Sequence, residues 1–569
     1  MKKFLCFLIL YWLITVDGYS QSEDISNTGP SPVLAFSDLI NGPASGLGDG
    51  LGEGAIVTVW GYHLGEKQGQ VFFTDSTGKT RPAAHIYYWK KADGKLPGGP
   101  ANLYESHQLY EVAFSIPKSS TGDGDFFFIT DKGLVTSKLK FKVNNGRIFH
   151  VKSSGNNNNI GSYHSPWQFI NGDSAKKNAP GNSGLIAGDI VYSHGVKELH
   201  ETGKAAMFLR ALKGDKNAHI SFVSYPGTLA KVQSPSWGIH PYLSTAILIS
   251  KFTVEGGNMA DPKDDSPYVP PISPFTIQIK TTQFGRIIGN RVTDIAGKCS
   301  NGMSGSISGT GFEIEELKVF GNEITEIGCR QTSHFHHTTY FTRRTNKGLR
   351  DIKAPEIGWN FLHNNMARYG IHIYDETNST KAPCDHVYGE LKIHNNIVID
   401  QRGPGINVFT SGRGNVCWKT DTYIYNNTLI NTGLGPISEL KNGTAPFALK
   451  LGGSIEGKFY LFNNLIYKVS DDSSRQYSKP AVISLISHFG NRNAEIKSNL
   501  LYSTLDMPLL IDHRLANMSD NFWGIENFSK LPTFRKALIK YQNSGNIFIE
   551  KNISPSEATQ FIKKQREKL

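Results

Sequence analysis

Short apolar segments recur along most of the chain, and each is followed by asparagine and then by a second apolar segment. Seven such segments end at Asn290, Asn322, Asn365, Asn396, Asn427, Asn464 and Asn499. The intervals between these asparagines are 32, 43, 31, 31, 37 and 35 residues. A recurring period of this size predicts stacked supersecondary units, and because each unit contains short strands the stack is a β-solenoid.

The repeated asparagine has a structural explanation. One turn recurs at the same place on every coil, and asparagine tolerates the left-handed backbone of such a turn. Its amide can also hydrogen-bond to the asparagines above and below, forming a ladder. Intervals above roughly 30 residues predict loops that bulge from some coils and build a cleft.

A second strand follows each asparagine turn, and period-two alternation assigns its faces. The residues expected to point inward are Phe341, Ile371, Ile373, Ile406, Val408, Leu449 and Leu451. The residues expected to point outward are Tyr340, Thr342, His372, Tyr374, Asn407, Phe409 and Lys450. A column of polar and aromatic groups on one outer face suits sugar binding, since rings pack on pyranoses and polar tips bond hydroxyls.

The two ends of the chain have different patterns. Lys2 and Lys3 precede an apolar stretch over residues 4–16, which predicts a signal peptide over residues 1–20 and export to the periplasm or medium. We expect no integral membrane segment after its removal. Residues 33–143 alternate as a β-sandwich, residues 147–545 form the solenoid, and residues 554–568 are a C-terminal helix or a solvated tail.

Composition narrows the class of protein. The 569 residues carry a formal net charge of +11, and 19% are charged while 38% are hydrophobic, which excludes a disordered tail or a membrane bundle. The 58 glycines and 11% aromatic residues are typical of a turn-rich β protein. Basic residues form no dense run of the kind that binds nucleic acid. We therefore expect an acidic polysaccharide, and not a nucleic acid, as the partner. We also expect a monomer.

Acid–base residues concentrate on two or three adjacent coils, beginning with the segment 333–344. β-Elimination on a uronate needs a cation for the carboxylate, a base for the C5 proton and an acid for the leaving oxygen. The candidates are Arg343 or Arg344 as the cation, His337 or His372 as the base, and Tyr340 or Tyr374 as the acid. The candidate substrate-binding residues are His334, His336, Arg368, Asn407 and Lys450.

Two other functions stay open. Glycoside hydrolysis needs two suitably spaced carboxyl groups, and the candidate acids are Asp375, Glu376, Asp385 and Asp400. A non-catalytic glycan-binding or adhesin rod is the third alternative, although a plain rod would distribute its titratable residues evenly. The clustering favours an enzyme, and a lyase over a hydrolase.

Metal and disulfide chemistry have few candidates. No cofactor is predicted with certainty. Asp261, Asp264 and Asp265 form an acidic turn, which is either a Ca²⁺ site or a solvated loop without a metal. The cysteines of the exported chain are Cys299, Cys329, Cys384 and Cys417. The 30-residue interval between the first two and the 33-residue interval between the last two approximate one coil, so each pair can be stacked, as a disulfide or as free thiols.

Two resemblances extend these inferences. The segment 54–65 opens with G-x-x-V-T-V-x-G-x-x-L-G and the segment 137–143 closes with S-x-x-x-F-x-V, as in the immunoglobulin-like IPT/TIG module. The later series G-S-x-x-x-P-W, G-D-x-V-Y and I-x-F-x-x-Y-P-G, within residues 161–227, resembles the opening of right-handed parallel β-helix enzymes of the pectate-lyase-like superfamily. The resemblance implies an all-β chain, with a sandwich before a right-handed parallel β-helix, that degrades polysaccharides.

Overall fold

The fold is nearly all β. The computed structural model describes residues 31–170, 184–199, 205–256, 275–280, 282–296, 304–310, 315–329, 336–343, 353–375, 389–410, 421–433, 447–453, 457–469, 481–487, 494–497, 499–502, 510–511, 516–519 and 522–524. The predicted signal peptide and the predicted C-terminal segment lie outside these residues. No helix in the described part of the chain is long and apolar enough to cross a membrane.

Residues 33–143 form two sheets that enclose a common core. The four-stranded sheet has the order Val33–Ser37, Ile56–Tyr62, Tyr110–Ser115 and His85–Lys91. The five-stranded sheet has the order Asn41–Gly42, Leu139–Val143, Asp123–Ile129, Gln70–Thr74 and Thr80–Pro82. All neighbours pair antiparallel except Asn41–Gly42 with Leu139–Val143. This N-terminal region is a pair of mainly antiparallel sheets, while its domain boundaries and the IPT/TIG assignment stay predictions.

The rest of the described chain is a parallel β-helix of three sheets, as predicted. The 12-stranded sheet consists of Ile148–Val151, Ile190–Ser193, Ile220–Ser224, Ile247–Ser250, Arg286–Ile288, Lys318–Phe320, Glu356–Gly358, Leu391–His394, Thr422–Tyr425, Phe459–Phe462, Ala494–Lys497 and Ala516–Ser519. The 11-stranded sheet consists of Lys197–Leu199, Ala230–Ser234, Phe252–Gly256, Arg291–Thr293, Glu323–Thr325, Phe361–Asn365, Ile397–Gln401, Thr428–Thr432, Leu465–Val469, Leu500–Tyr502 and Phe522–Gly524. The 10-stranded sheet consists of Met207–Arg210, Ile239–Tyr242, Phe275–Lys280, Ser304–Thr310, His336–Arg343, Ile371–Asp375, Ile406–Thr410, Phe447–Gly453, Ala481–Ser487 and Leu510–Ile511. One short helix, Leu103–His107, lies in the sandwich region.

The asparagine ladder runs between the 12-stranded and 11-stranded sheets. Its members are Asn290, Asn322, Asn360, Asn396, Asn427, Asn464 and Asn499, each accepting from the backbone and side chain of the one before. The expectation that Asn365 belongs to this ladder is wrong, because Trp359 takes the left-handed position of that turn with φ 55° and places Asn360 next. Asn365 instead accepts from the backbone N–H of Ile327, at the far end of its strand.

The inward and outward faces of the 10-stranded sheet agree with the alternation. Ile371, Ile373, Ile406 and Val408 belong to the solenoid core together with Phe341, Leu449 and Leu451. The core is therefore filled by alternate residues of each strand, and the intervening residues face outward.

The sandwich packs directly on the 12-stranded sheet. Phe36 stacks on Trp60 with ring centroids 5.1 Å apart and also contacts Phe320 of the solenoid. The ammonium of Lys251, from the solenoid, is buried, donates to Thr58 Oγ1 at 2.7 Å and lies 3.7 Å from Asp38 Oδ2. Burial favours the neutral amine and therefore lowers the pKa of Lys251. The negative charges of neighbouring Asp38 and Glu111 act in the opposite direction and raise this pKa. The two regions thus share an apolar and ionic interface.

Candidate functional site

Two rows of side chains follow the outer face of the 10-stranded sheet. Row A is the set of in-register residues Phe208, His240, Gln278, Ser308, Tyr340, His372, Asn407, Lys450 and Ser484. Row B lies two residues further along the strands and contains Arg210, Tyr242, Lys280, Thr310, Thr342, Tyr374 and Phe409. Neighbouring members of a row are one strand spacing apart, about 4.8 Å. The predicted outward column of Tyr340, His372, Asn407 and Lys450 is therefore a set of consecutive neighbours.

An aromatic and imidazole cluster surrounds His372. Its ring centroid is 4.9 Å from that of Tyr340, 4.8 Å from that of His337 and 4.4 Å from that of Tyr369. His337 and Tyr340 are 5.0 Å apart. Two predicted bases and one predicted acid thus occupy a single cluster, because the strands that carry them pair in parallel and in register.

His372 is held in its neutral form. It is 5% exposed, and burial lowers its pKa well below the usual range, since a buried imidazolium lacks solvation. The positive charges of Arg368 and Lys450 lower this pKa further. Its Nδ1 is buried without a hydrogen-bond partner among the described residues. A neutral imidazole with an unengaged nitrogen is suited to exchange a proton with a ligand.

Half-buried residues border this cluster. Tyr374 and Phe409 of row B are parallel, with ring centroids 6.4 Å apart, and Lys450 Nζ lies 5.1 Å from the Phe409 centroid. The guanidinium of Arg368 lies 4.7 Å from the Tyr369 centroid. Since Tyr340 is only 3% exposed, the half-buried side chains of Tyr374, Phe409, Arg368 and Lys450 form the accessible border of the cluster.

His336 does not face this cluster. Its Nε2 is 3.1 Å from Asp294 Oδ2, its Nδ1 pairs with the hydroxyl of Ser304, and its side chain is fully buried. The part that His336 plays in substrate binding stays a prediction, and its side chain is engaged away from the cluster around His372. His336 and His337 are adjacent in the strand, and of the two only His337 lies in the cluster around His372.

The predicted acids do not form a pair among the described residues. Asp375 is buried at the end of its strand in the 10-stranded sheet. Asp400 lies in the 11-stranded sheet, where its Oδ1 accepts from Asn431 Nδ2 at 2.5 Å. Glu376 and Asp385 lie outside the described residues, as do His334 and Arg344. Arg343 ends its strand, where its backbone pairs with Asp375.

Several residues of the two rows were not predicted as site residues from the amino-acid sequence. Phe208, His240 and Tyr242 form a stacked aromatic group on the first coils, with centroid distances of 5.6 to 6.1 Å. Trp237 stacks on His240 at 5.2 Å and pairs through Nε1 with Gln278. A signal was available in Ile239–Tyr242, where His240 and Tyr242 alternate with Ile239 and Pro241, but not in Met207–Arg210, where three apolar residues precede Arg210.

The described part of the chain contains one disulfide-bonded cysteine and no cluster of metal-ligating side chains. No group of three or more His, Cys, Asp or Glu side chains there could hold a metal ion. The acidic turn at Asp261, Asp264 and Asp265 lies outside the described residues. Cys329 is disulfide-bonded, and the other cysteines all lie outside the described part. Stacking of Cys384 with Cys417 stays a prediction.

Comparison with known proteins finds structural likeness alone. No family model and no curated protein matches the chain. A GH136 lacto-N-biosidase from Eubacterium ramulus is 12% identical with a TM-score of 0.34, over 66% of this chain and 68% of that one. Pectate lyase Pel9A is 12% identical with a TM-score of 0.33, over 66% and 80% of the two chains. A rhamnogalacturonan lyase is 11% identical with a TM-score of 0.31, over 74% and 99%. Likeness at this level carries no argument about function, and the β-helix rests on the strand pairing itself.

Proposed function

We propose that the protein is an exported carbohydrate-active enzyme that cleaves an acidic polysaccharide by β-elimination. The observation that carries this proposal is the cluster around His372, where a neutral imidazole lies 4.9 Å from a phenol ring and the charges of Arg368 and Lys450 lower the pKa of the imidazole. β-Elimination requires these three kinds of group together. The residues come from separate strands, so their meeting is a property of the fold.

The charges of the two rows support an anionic ligand. Arg210, Lys280 and Lys450 are the charged residues among the row members named above, and none of those members is Asp or Glu. The outer face of the 12-stranded sheet differs, since Lys318, Glu356 and Lys392 follow one another with opposite charges. Rows whose described charged members are all cationic attract a polyanion.

Each group has a defined role in this proposal. Arg368 and Lys450 bind the uronate carboxylate and stabilise the negative charge that develops when C5 loses its proton. Neutral His372 accepts the C5 proton, and the Tyr340 hydroxyl donates a proton to the departing O4. The C4–O bond breaks as the C4–C5 double bond forms, so the products are an unsaturated uronate and a new free hydroxyl. Arg343 and Arg344 remain candidates for the cation.

Hydrolysis has less support. Among the described residues, Asp375 and Asp400 lie in different sheets, whereas hydrolysis needs two carboxyls on either side of one glycosidic bond.

The test is digestion of a panel of polyuronates with variants of His372 and Tyr340. His372→Ala and Tyr340→Phe are each expected to lower kcat by about 10²- to 10⁴-fold, since each removes a proton-transfer group. Tyr425→Phe, a buried tyrosine of the 12-stranded sheet, is the matched control with unchanged kcat. Ultraviolet absorbance of the unsaturated product distinguishes elimination from hydrolysis, which yields only a new reducing end. Full activity of both variants would refute the assigned roles.

A further inference from the structure

We infer that Lys280 and Arg210 are cationic binding positions for anionic sugar residues far from the bond that is cleaved. The ligand would be an acidic polysaccharide lying along the rows in the direction of the solenoid axis. This inference rests on the proposed function for its ligand, and it adds a binding region on coils that precede the cluster around His372.

Register places these two cations on the same row as the border of the cluster. Row B runs from Arg210 through Tyr242 and Lys280 to Thr342 and Tyr374. Three strand spacings separate Lys280 from Tyr374 and five separate Arg210 from it, which correspond to about 14 Å and about 24 Å. One spacing is close to the length of a pyranose unit in an extended chain. A polymer lying on row B would therefore bring a different sugar residue to each coil.

Both side chains are accessible, unlike the groups around His372. Lys280 and Arg210 are exposed at the ends of their strands. Between them Tyr242 is half-buried and lies 5.8 Å from Lys280 Nζ. A ring beside a cation can contact the apolar face of a sugar while the ammonium binds its carboxylate.

The aromatic group of the first coils supports the same surface. Phe208 and Tyr242 are nearly parallel, with an interplanar angle of 21° and centroids 6.1 Å apart. Both rings are half-buried and stand on the outer face, since the alternate residues Met207 and Leu209 fill the core. Aromatic and cationic side chains thus continue the rows beyond the proposed catalytic groups, where they can supply binding energy from remote sugar residues.

The test compares two double variants of equal charge change. Arg210→Ala with Lys280→Ala removes the proposed positions, while Lys118→Ala with Lys197→Ala removes exposed lysines of the sandwich and the 11-stranded sheet. All four residues are exposed, so both proteins should fold as the full chain does. Binding is measured by native electrophoresis through gels containing polygalacturonate, alginate, chondroitin sulfate or a neutral β-glucan, with single-stranded DNA as a competing polyanion.

The inference predicts that at least one acidic polysaccharide retards the wild-type protein and that the Arg210/Lys280 variant binds it about three- to tenfold more weakly. The control variant should bind as the wild type does. Equal loss in both variants, no loss in either, equal retardation by the neutral glucan, stronger binding to DNA, or no retardation by any polymer would overturn the inference.

Cleavage is scored separately by absorbance. Retardation without cleavage of any polymer would refute the proposed lyase activity while leaving the binding surface intact. Cleavage with unchanged binding in the Arg210/Lys280 variant would refute the surface while leaving the activity intact. If the wild type cleaves, the variant should show a raised KM on polymer and unchanged kinetics on a disaccharide or trisaccharide.

Discussion

Replacing Asn396 by alanine should loosen the solenoid at the coil that also carries Asn407 of row A. Asn396 is fully buried in the ladder. Its Oδ1 accepts from the backbone N–H and the side-chain amide of Asn360 at 3.1 and 2.9 Å. Its Nδ2 donates to the carbonyl oxygen of Ile357 and to Asn427 Oδ1, both at 3.0 Å.

The expected magnitude follows from these four hydrogen bonds. Each contributes about 0.5–1.5 kcal/mol, so alanine should lower the free energy of unfolding by about 2–6 kcal/mol. The upper part of this range is expected, because no water can easily replace the amide in a fully buried turn. The backbone N–H of Asn360 loses its acceptor, and this local change is easier to measure than global unfolding of a repeat protein, which need not be two-state.

Hydrogen–deuterium exchange read by mass spectrometry is the assay. Peptides covering residues 356–365 should exchange faster in Asn396→Ala, and the thermal midpoint should fall. Asn364→Gly is the control, since Asn364 is exposed and has a φ of 54°, which glycine also adopts. Unchanged exchange at Asn360, or the same loss of stability in both variants, would refute the assignment of the ladder as a stabilising element.

Two further predictions concern buried charge and pH. Lys251→Met removes the buried ammonium that lies 3.7 Å from Asp38 Oδ2 and should lower the free energy of unfolding by about 3–5 kcal/mol, measured by urea unfolding. A loss below about 1 kcal/mol would contradict the buried ion pair. Burial lowers the pKa of His219 to about 3 and that of His240 to about 4, so both are neutral in the folded protein down to those values. In the unfolded chain both histidines have the ordinary pKa of about 6.5 and take up protons below that pH. The free energy of unfolding should therefore be independent of these two histidines above about pH 6.5. Between about pH 6.5 and about pH 4 it should fall by about 1.4 kcal/mol per pH unit for each histidine. A thermal midpoint that does not fall between pH 6.5 and pH 4.5, or a His240→Gln variant with an unchanged pH slope, would contradict this.

The solenoid could be predicted from the amino-acid sequence because its signals are local. Asparagine at a left-handed turn and apolar residues at alternate positions are requirements of each coil, so a single sequence displays them repeatedly. The same locality explains the error at Asn365. Two asparagine segments lie within one coil there, and only strand pairing shows that Asn360 enters the ladder.

The candidate site was only partly predictable. Alternation correctly placed Tyr340 and His372 on the outer face, and their register brings the rings to 4.9 Å. It did not reveal that His336 pairs with Asp294, which is 42 residues earlier in the chain. It also did not reveal that Asp400 lies in another sheet from Asp375. Partners of this kind are set by how coils of unequal length stack.

The amino-acid sequence alone determines the repeating coil, its buried apolar face and the types of residue available for acid–base chemistry, because each is encoded within a few neighbouring positions. Only the tertiary structure decides which outward residues become neighbours, since strand register in the solenoid joins residues 22 or more positions apart. It also decides the neutral state of His372 and the packing of the sandwich on the 12-stranded sheet. Both arise from burial by distant parts of the chain, which no local pattern records.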